Sequence, residues 1–417
     1  MSALRLMVVH NQLVGPTGHA YTESLGWRRL CDTRGHDLSL FASRWADPAV
    51  LAETGARPVF GLTEADLGRF LAADAIAAPT PADVARLQAF MLTSFEVASG
   101  CRDAWGLAHE PDLVIFPWTN AALLNGVADW LVELAPEQRP RLVFNVVQPE
   151  PGWVIDAANV EVSGDFSWMR FACRRLRALV DPARVALTAV EPRLARLVAK
   201  VGDVDCRPGP LHKFYPTPEA IEALRPAGPA AAPIVSALGA DRPREKGWDL
   251  LPDVMGAVCA ATDASFFVQV SSREAGEALS GHLHAAGRPA RVTIQPGALP
   301  TEDYFRRVLA SDLILMPYID RAYALMPSGI FADAVVCGTP VAAPARTWIS
   351  DRMAEGWGAG ELFDAPAAGP VADAVIRALS RRDELRATVA GQAPAWRRAH
   401  SLEAYVDTVF ARLGVIA

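Results

Sequence analysis

Short apolar runs alternate with longer helical patterns along the whole chain, and this alternation constrains the fold more than any other sequence feature. Early runs span residues 4–9, 37–41 and 112–116, and segments of helical periodicity such as 81–105 separate them. A short, nearly continuous apolar run is typical of a parallel strand buried on both faces. Strands separated by helices of this length predict parallel sheets covered by helices on both sides.

A proline-rich stretch interrupts the alternation near the middle of the chain. Seven prolines fall between Pro208 and Pro233, and the alternation restarts after them. We therefore predict a first domain over 1–212, a linker over 213–232 and a second domain over 233–395. The predicted fold is α/β, with two doubly wound Rossmann-like domains facing a cleft and ligands at the carboxyl ends of the strands.

Length and charge narrow the class of protein further. At 417 residues the chain is too long for one ordinary core, which agrees with more than one domain. A formal charge of −7 argues against a general nucleic-acid binder, whose phosphate contacts need a surplus of Lys and Arg. A local basic pocket for one small anion is compatible with this charge.

Cysteine use and hydropathy indicate the compartment. The six cysteines are widely scattered and form no Cys-x-x-Cys pair, which favours reduced core thiols over a disulfide framework or a zinc site. The first ten residues become polar too soon for a signal peptide. No stretch approaches the roughly 18 apolar residues of a membrane span. We expect a cytoplasmic protein; peripheral membrane contact stays open because it needs no span.

Three blocks in the second half carry a family resemblance. They read "SALGADRPREKGWDLLPDV" at 236–254, "YFRRVLASDLILMPY" at 304–318 and "MPSGIFADAVVCGTPVAAP" at 326–344. In this order and spacing they resemble the donor domain of retaining glycosyltransferases of the B-fold superfamily, similar to glycosyltransferase family 4. The resemblance covers roughly the last 190 residues, and the third block is the most specific. It also implies that the final helix of 396–417 packs back on the first domain.

The first block places basic residues where a pyrophosphate would need neutralising. It follows a predicted strand and opens a helix, so Arg242, Arg244 and Lys246 can offer charge-assisted hydrogen bonds at the edge of the sheet. The resemblance assigns Lys246 and Arg242 to catalysis and Arg244 to donor binding. Which arginine contacts phosphate stays open, because the family's usual arginine position holds Asp241.

The third block contains a small turn at a helix start. Ser328 and Gly329 lie at the start of this helix. The free N-terminal amides and the positive end of the helix dipole can bind a phosphate there. The Ser328 hydroxyl either caps the helix or binds a phosphate oxygen. Many family members have two glutamates eight positions apart here. This chain has Leu325 and Asp333 instead, and the resemblance implies a ribose contact for Asp333.

The first loop of the chain, "GPTGHAYTESL", supplies the remaining candidates. Gly15 and Gly18 frame the turn, and in the family such a loop lets backbone amides approach the donor diphosphate. His19 either orients acceptor or phosphate, acts as a base, or merely starts a helix. Glu150, after the strand at 141–147, is a candidate for acceptor binding. Trp118 and Trp153 either stack on a sugar or fill the core.

These residues predict an enzyme that moves a glycosyl group from a nucleoside diphosphate sugar to an unidentified acceptor, with retention implied by the resemblance. No His, Asp or Glu cluster has metal-ligand spacing, so we expect no metal and no cofactor beyond the nucleotide sugar as co-substrate. Two alternatives stay open: a non-catalytic nucleotide-sugar binder or partner subunit, and a sugar-nucleotide 2-epimerase. The sequence does not indicate the oligomeric state.

Overall fold

The computed structural model describes most of the chain, and helices and strands are numbered below in chain order. Strands and helices alternate as the sequence predicts, and two parallel sheets result. The described residues are 3–61, 82–150, 153–156, 161–164, 166–226, 228, 232–239, 244–285 and 291–415.

The first sheet has seven parallel strands within the described residues, in the order β3-β2-β1-β4-β5-β8-β9. Its inner strands are mostly apolar because helices cover both faces. Strand β4, for example, reads LVIF and is buried at every position. The strands are β1 Arg5–His10, β2 Asp37–Ser43, β3 Arg57–Phe60, β4 Leu113–Phe116, β5 Arg141–Val146, β8 Val185–Ala189 and β9 Cys206–Pro208. Strands β6 Trp153–Asp156 and β7 Glu161–Gly164, which lie between β5 and β8 in the sequence, form a separate two-stranded sheet.

Seven helices accompany the first sheet among the described residues. Their starts carry readable capping signals, such as the Asn120 side chain that accepts a hydrogen bond from the Leu123 amide at 2.8 Å. The helices are α1 Gly18–Arg34, α2 Pro48–Thr54, α3 Ala82–Leu107, α4 Ala121–Val132, α5 Ser167–Leu179, α6 Pro192–Gly202 and, at the end of the chain, α16 Leu402–Arg412.

The second sheet has six parallel strands in the described part of the chain, in the order β12-β11-β10-β13-β14-β15. The order around β10 in this sheet matches the order around β1 in the first sheet: in each case the next two strands in sequence lie on one side and the two that follow lie on the other. The predicted pair of doubly wound parallel sheets is therefore confirmed. The strands are β10 Ile234–Ala237, β11 Ser265–Val270, β12 Val292–Pro296, β13 Leu313–Leu315, β14 Val341–Pro344 and β15 Gly360–Phe363. The helices are α7 Pro218–Ala223, α8 Leu251–Ala261, α9 Arg273–Ala285, α10 Thr301–Ala310, α11 Asp320–Tyr323, α12 Gly329–Cys337, α13 Trp348–Ala354, α14 Ala368–Ser380 and α15 Arg382–Ala399.

The chain forms two compact units. The first unit contains Met1–Trp153, Gly164–Phe214 and His400–Ala417, and the second contains Val154–Ser163 and Tyr215–Ala399. The boundary after Phe214 places α7, inside the predicted linker 213–232, in the second unit. Thr217 caps this helix by accepting a hydrogen bond from the Ala220 amide, and Pro218 occupies its first turn.

The final helix α16 belongs to the core of the first unit. Its buried residues Tyr405, Val409 and Phe410 lie in one hydrophobic cluster with Trp27 of α1 and Leu40 of β2. Burial of an apolar side chain of this kind contributes about 1.5–3 kcal/mol to stability. No helix in the described ranges is long and apolar enough to cross a membrane.

Candidate functional site

The second sheet reverses its strand order between β10 and β13, which makes the carboxyl ends of these strands the expected ligand position. Strand β10 runs into Leu238 and Gly239, and β13 runs into Met316 and Pro317. Gly239 has a φ of +87°, a backbone conformation that residues other than glycine rarely adopt. A Cβ at this position would also lie 2.6 Å from Lys246 Nζ and 2.7 Å from Ile330 Cδ1. Glycine therefore lets the strand exit pass close to two other segments.

Lys246 lies at this edge with its side chain buried. Its Nζ donates a hydrogen bond to the Gly239 carbonyl oxygen at 3.0 Å. Because Ile330 of α12 and Lys246 both lie against Gly239, the ammonium is close to the start of α12. The structure thus brings together Lys246 and the Ser328-Gly329 turn, two parts of the predicted donor site that lie more than 80 residues apart in the sequence.

The turn that carries Lys246 is fixed to the exit of β13. The Gly247 amide donates to the Arg244 carbonyl oxygen at 3.2 Å, and the Ile319 amide donates to the Glu245 carbonyl oxygen at 2.9 Å. Gly247 has a φ of +65°, and a Cβ there would lie 1.8 Å from the Pro317 carbonyl oxygen. Backbone packing therefore sets the position of Lys246, while the neighbouring Arg244 side chain is exposed. Arg242 lies outside the described residues.

Ser328 is the N-cap of α12. Its buried hydroxyl accepts a hydrogen bond from the Phe331 amide at 3.2 Å, which is the capping role that the sequence left as one of two options. Gly329 begins the nine-residue helix and is half-buried. A phosphate contact by Ser328 stays a prediction.

Asp333 points into the interior of the second unit. Its side chain is 4% exposed, and Oδ2 accepts a hydrogen bond from the Tyr304 hydroxyl at 3.0 Å. Burial and the nearby Asp333 carboxylate raise the pKa of both Tyr304 and Tyr215, so both phenols stay protonated. Leu325, eight residues before Asp333, is fully buried. A ribose contact by Asp333 stays a prediction.

Gln269 is a contributor to this edge that the sequence analysis missed. Its buried carboxamide, near the end of β11, accepts a hydrogen bond from the Gly239 amide at 3.1 Å and donates one to the Gly297 carbonyl oxygen at 3.0 Å. Gln269 therefore anchors the loop whose carbonyl oxygen accepts from Lys246. The signal was present, because a single amide interrupts the apolar strand SFFVQV.

The first sheet has its own reversal point, between β1 and β4. After β1, Gly18 starts α1 with a φ of +83°. A Cβ at Gly15 or at Gly18 would meet no atom within 4 Å, so neither turn is closely packed. The His19 side chain is exposed, and its ring centroid lies 6.2 Å from that of Trp118 in the segment after β4. Asn11 and Gln12, directly after β1, line a small cavity together with Trp118 and Gln148, whereas Gly15, Gly18 and His19 are not among the residues that line it.

Glu150 is engaged at the start of a helix. Its Oε1 accepts a hydrogen bond from the Ala121 amide at 2.7 Å, at the N-terminus of α4. A carboxylate at this position interacts favourably with the positive end of the helix dipole. The structure therefore gives Glu150 a helix-capping contact. A role for Glu150 in acceptor binding stays a prediction.

A buried charged cluster lies beneath this edge. Glu23 Oε2 is 3.5 Å from His10 Nε2 and 3.4 Å from His212 Nε2, and Glu23 Oε1 accepts a hydrogen bond from Trp27 Nε1 at 3.2 Å. Burial opposes ionisation of Glu23, but His212 and His10 outweigh it, so the pKa of Glu23 is lowered. Burial lowers the pKa of His212, against the opposing effect of Glu23. The cluster joins α1 to the segment before Phe214, across nearly 190 residues of sequence.

Metal ions and cysteine thiolates are two other common means of catalysis. In the described ranges, no group of three or more His, Cys, Asp or Glu side chains is arranged to hold a metal ion. All six cysteines lie in these ranges as free thiols. Burial raises the pKa of Cys31, Cys173 and Cys206 to about 12 in each case, which is unsuited to a nucleophilic thiolate.

No protein-family profile and no curated protein matches this chain by sequence. Solved structures do match it over nearly its full length. Anabaena Alr3699/HepE, solved in complex with UDP-glucose, is 14% identical with a TM-score of 0.63, and the match covers 99% of this chain and 100% of that one. Sucrose-phosphate synthase from Thermosynechococcus elongatus is 16% identical with a TM-score of 0.61 and 99% coverage of both chains.

A third example is the catalytic domain of starch synthase IV from Arabidopsis thaliana, solved with ADP and acarbose. It is 11% identical with a TM-score of 0.60, and the match covers 99% of this chain and 100% of that domain. These proteins share the glycosyltransferase-B fold, and the chain described here has that fold.

Proposed function

We propose that this protein transfers a glycosyl group from a nucleoside diphosphate sugar to an acceptor, and that the second unit holds the donor. The observation that carries the proposal is the position of Lys246, a buried ammonium at the reversal point of the second sheet beside the start of α12. A buried charge is costly unless an opposite charge or hydrogen bonds stabilise it. The hydrogen bond to the Gly239 carbonyl oxygen holds the Lys246 ammonium in place, and an anionic ligand at this edge would add an opposite charge.

The chemistry of the proposed reaction requires this arrangement. When the glycosyl group leaves, the diphosphate gains negative charge, and preorganised donors lower the barrier most where charge develops. Lys246 supplies a positive charge, and α12 directs its N-terminal amides and dipole to the same edge. The Gly239 and Gly247 turns hold these groups in place without reorganisation.

The resemblance of the three sequence blocks to glycosyltransferases adds several finer features to the proposal. These are retention of configuration, a role for Arg242 or Arg244 on the phosphates, a ribose contact by Asp333 and independence from metal ions. In the first unit, Gly15, Gly18 and His19 would face donor or acceptor groups, and Glu150 would act through the start of α4. We also propose a cytoplasmic location.

One alternative has a specific observation in its favour. Leu325 replaces an acidic residue that many family members place near the sugar, and Asp333 already accepts a hydrogen bond from Tyr304. A protein with these features could bind a nucleotide sugar without transferring it. A shared fold does not decide between the two.

The test is release of nucleoside diphosphate from a panel of UDP-, GDP-, ADP- and dTDP-sugars, with a cell extract as the source of acceptors. We expect release from at least one donor, and we expect it to survive exhaustive EDTA treatment. Loss of activity with EDTA that Mn²⁺ or Mg²⁺ restores would refute metal independence. Tight binding of a donor without release would favour the binding protein.

A variant at the start of α12 locates the anion site. Gly329→Val places a branched side chain where the phosphate oxygens would approach the backbone, so it should abolish release with little loss of thermal stability. Gly369→Val is the matched control, because Gly369 lies in the first turn of α14 and a Cβ there meets no atom within 4 Å. If Gly329→Val is as active as Gly369→Val, the anion site has been placed wrongly.

A further inference from the structure

Two neighbouring helices of the first unit, α5 and α6, concentrate positive charge. The whole chain has a formal charge of −7, yet α5 contains four basic residues, α6 contains three, and neither helix contains Asp or Glu. The two helices pack against each other, so their solvent-facing side chains belong to one surface. The basic residues are Arg170, Arg174, Arg175, Arg177, Arg193, Arg196 and Lys200.

Helix packing directs most of this charge to solvent. The apolar stripe of α5 is buried in the unit, which leaves the opposite stripe of the helix exposed. Arg170 and Arg174 lie one turn apart on that exposed stripe. On α6, Arg196 and Lys200 are likewise one turn apart and exposed. These four residues are called the basic face below.

The basic face lacks the carboxylates that accompany exposed arginines elsewhere. Within the residues that the structure describes, none of its four side chains makes an ion pair or a hydrogen bond. By contrast, Arg381 at the end of α14 pairs with Glu361 at 2.9 Å and with Glu384 at 2.7 Å. Like charges one turn apart on a helix repel each other. An anionic partner would relieve this repulsion.

The three other basic residues of these helices are neutralised and stay outside the basic face. Arg175 pairs with Asp129 at 2.6 Å, and Arg193 pairs with Glu191 at 2.6 Å. Arg177 pairs with Asp203. The unpaired charge is therefore confined to the exposed stripes of α5 and α6.

An exposed aromatic ring lies within the basic face. Phe171 stands between Arg170 and Arg174 on α5 and is 51% exposed. The Arg175 guanidinium lies 5.8 Å from the centroid of this ring, within the range of a cation–π contact. A ring among arginines suits an environment that is apolar on one side and wet on the other.

Further apolar side chains are exposed on α3, which adjoins the start of α5. Phe90 of α3 and Trp168 of α5 are in contact, with ring centroids 4.6 Å apart. Beyond this contact, Met91 and Phe95 lie one turn apart on α3 and are 60% and 67% exposed. Exposed apolar side chains that cluster in this way mark interaction sites. Met91, Phe95 and Phe171 are called the apolar rim below.

The combination of the two features favours a lipid surface over other anionic partners. Positive charge alone would also suit the phosphates of a nucleic acid or the carboxylates of an acidic protein. Basic side chains beside exposed apolar ones match a membrane surface, because the former meet anionic headgroups and the latter enter the boundary between headgroups and acyl chains.

We propose that α5 and α6, together with the exposed side of α3, form a docking surface for an anionic membrane. The basic face contacts the lipid phosphates, and the apolar rim enters the headgroup region. Attachment is peripheral, because the apolar stripe of α5 is already buried in the protein. This proposal stands independently of the proposed transfer reaction.

Vesicle co-sedimentation of the full-length protein tests the proposal. One set of vesicles is pure phosphatidylcholine, and the other contains phosphatidylglycerol at the same total lipid concentration. We expect binding to the anionic vesicles alone, and we expect it to weaken as the ionic strength approaches about 1 M, where the Debye length falls to about 3 Å. Absence of binding to the anionic vesicles, or equal binding to both sets, would overturn the proposal.

Two double variants remove the charges of the basic face, Arg170→Gln with Arg174→Gln and Arg196→Gln with Lys200→Gln. Each basic residue near an anionic surface strengthens binding roughly fivefold, so each double variant should bind about tenfold to thirtyfold more weakly. Both should melt at or above the wild-type temperature, because no ion pair is lost and like-charge repulsion is removed.

The matched control changes the net charge equally at a different place. Arg273→Gln with Arg398→Gln removes two exposed arginines from the second unit. This control should bind anionic vesicles as the wild type does. Equal weakening by all three double variants would show an effect of net charge alone and contradict a docking surface on α5 and α6.

Phe171→Ala tests the apolar rim, with Val132→Ala as its control. Val132 on α4 is 58% exposed and lies outside the basic face and the apolar rim. We expect Phe171→Ala to weaken vesicle binding about threefold to tenfold and Val132→Ala to leave it unchanged. Equal binding by the two variants would contradict insertion of the ring.

A single-stranded RNA oligonucleotide distinguishes a lipid surface from a nucleic acid. We expect the RNA to leave the binding of anionic vesicles unchanged. RNA binding that the double variants of the basic face abolish, in a protein that does not bind the vesicles, would assign the surface to a nucleic acid and overturn the proposal.

Discussion

The two sheets have the same strand order around their reversal points, but their carboxyl edges carry different chemistry. The edge of the second sheet holds a buried ammonium, Lys246, next to the start of α12. The edge of the first sheet holds carboxamides and an indole, and its helix start is occupied by Glu150. The same backbone frame therefore carries a buried cation beside a helix start at one edge and uncharged polar side chains at the other.

The edges also differ in how tightly their turns are packed, which gives the largest expected effect. Both Gly247 and Gly18 have positive φ, so alanine at either position strains the backbone by about 1–2 kcal/mol. Only at Gly247 does the new Cβ also collide with backbone, 1.8 Å from the Pro317 carbonyl oxygen. Gly247→Ala should therefore cost at least about 3 kcal/mol and abolish nucleotide binding, whereas Gly18→Ala should cost only the strain.

Denaturant titration of both variants checks this difference, and Gly297→Ala supplies a control within the second unit. Gly297 has a φ of +77°, and a Cβ there meets no atom within 4 Å. Equal losses for Gly247→Ala and Gly297→Ala would show that the turn is not packed as described.

A second difference is the response to acid. In the first unit, the pKa of Glu23 and that of His212 are both lowered in the folded state. The unfolded chain then binds more protons, so stability is full above the ordinary histidine pKa of about 6.5 and falls as the pH drops. We expect the melting temperature of the first unit to decline between about pH 7 and about pH 5, with a further decline as Glu23 is protonated.

His212→Gln should flatten the part of this decline near pH 6, because it removes one of the titrating groups. His109, which is exposed, provides the control variant His109→Gln. A wild-type melting temperature that is constant over this range, or the same slope for both variants, would contradict a linked buried cluster.

The smallest expected effect concerns Gln269. Gln269→Leu removes the hydrogen bonds to the Gly239 amide and the Gly297 carbonyl oxygen, which loosens the loop that accepts from Lys246. We expect nucleotide affinity to fall about threefold to tenfold. Gln295→Leu is the matched control, because Gln295 is the register partner of Gln269 on β12. Calorimetric titration of both variants with nucleotide measures this difference. Equal nucleotide affinities of Gln269→Leu and Gln295→Leu would show that Gln269 does not position the site.

Much of the fold could be predicted from the sequence because parallel strands buried on both faces are nearly continuous apolar runs. Strands Asp37–Ser43 and Leu113–Phe116 lie within two residues of the predicted runs 37–41 and 112–116. Motif spacing also indicated that Lys246, Ser328 and Gly329 belong near one sheet edge. In each of these cases the signal lies in a few neighbouring residues.

The rest depends on contacts between distant residues. Glu23 and His212 meet only after the first sheet has assembled, and neither belongs to a motif. Asn11, Gln12 and Gln148 are isolated amides at three strand exits, and only the strand order reveals that they share a cavity. The direction of the Asp333 side chain depends on Tyr304, 29 residues away. Single-sequence patterns carry no information about such pairings.

The central claim is that the second unit binds a nucleoside diphosphate through Lys246, and one calorimetric comparison tests it most directly. The wild type, Lys246→Ala and Lys200→Ala are titrated with UDP, GDP and ADP; Lys200 is an exposed lysine on α6 and serves as the matched control. Loss of a hydrogen bond to a charged group should weaken binding of the preferred nucleotide on the order of tenfold to a hundredfold for Lys246→Ala. Lys200→Ala should bind as the wild type does. Unchanged affinity of Lys246→Ala for all three nucleotides, in a protein that melts at the wild-type temperature, would contradict the account.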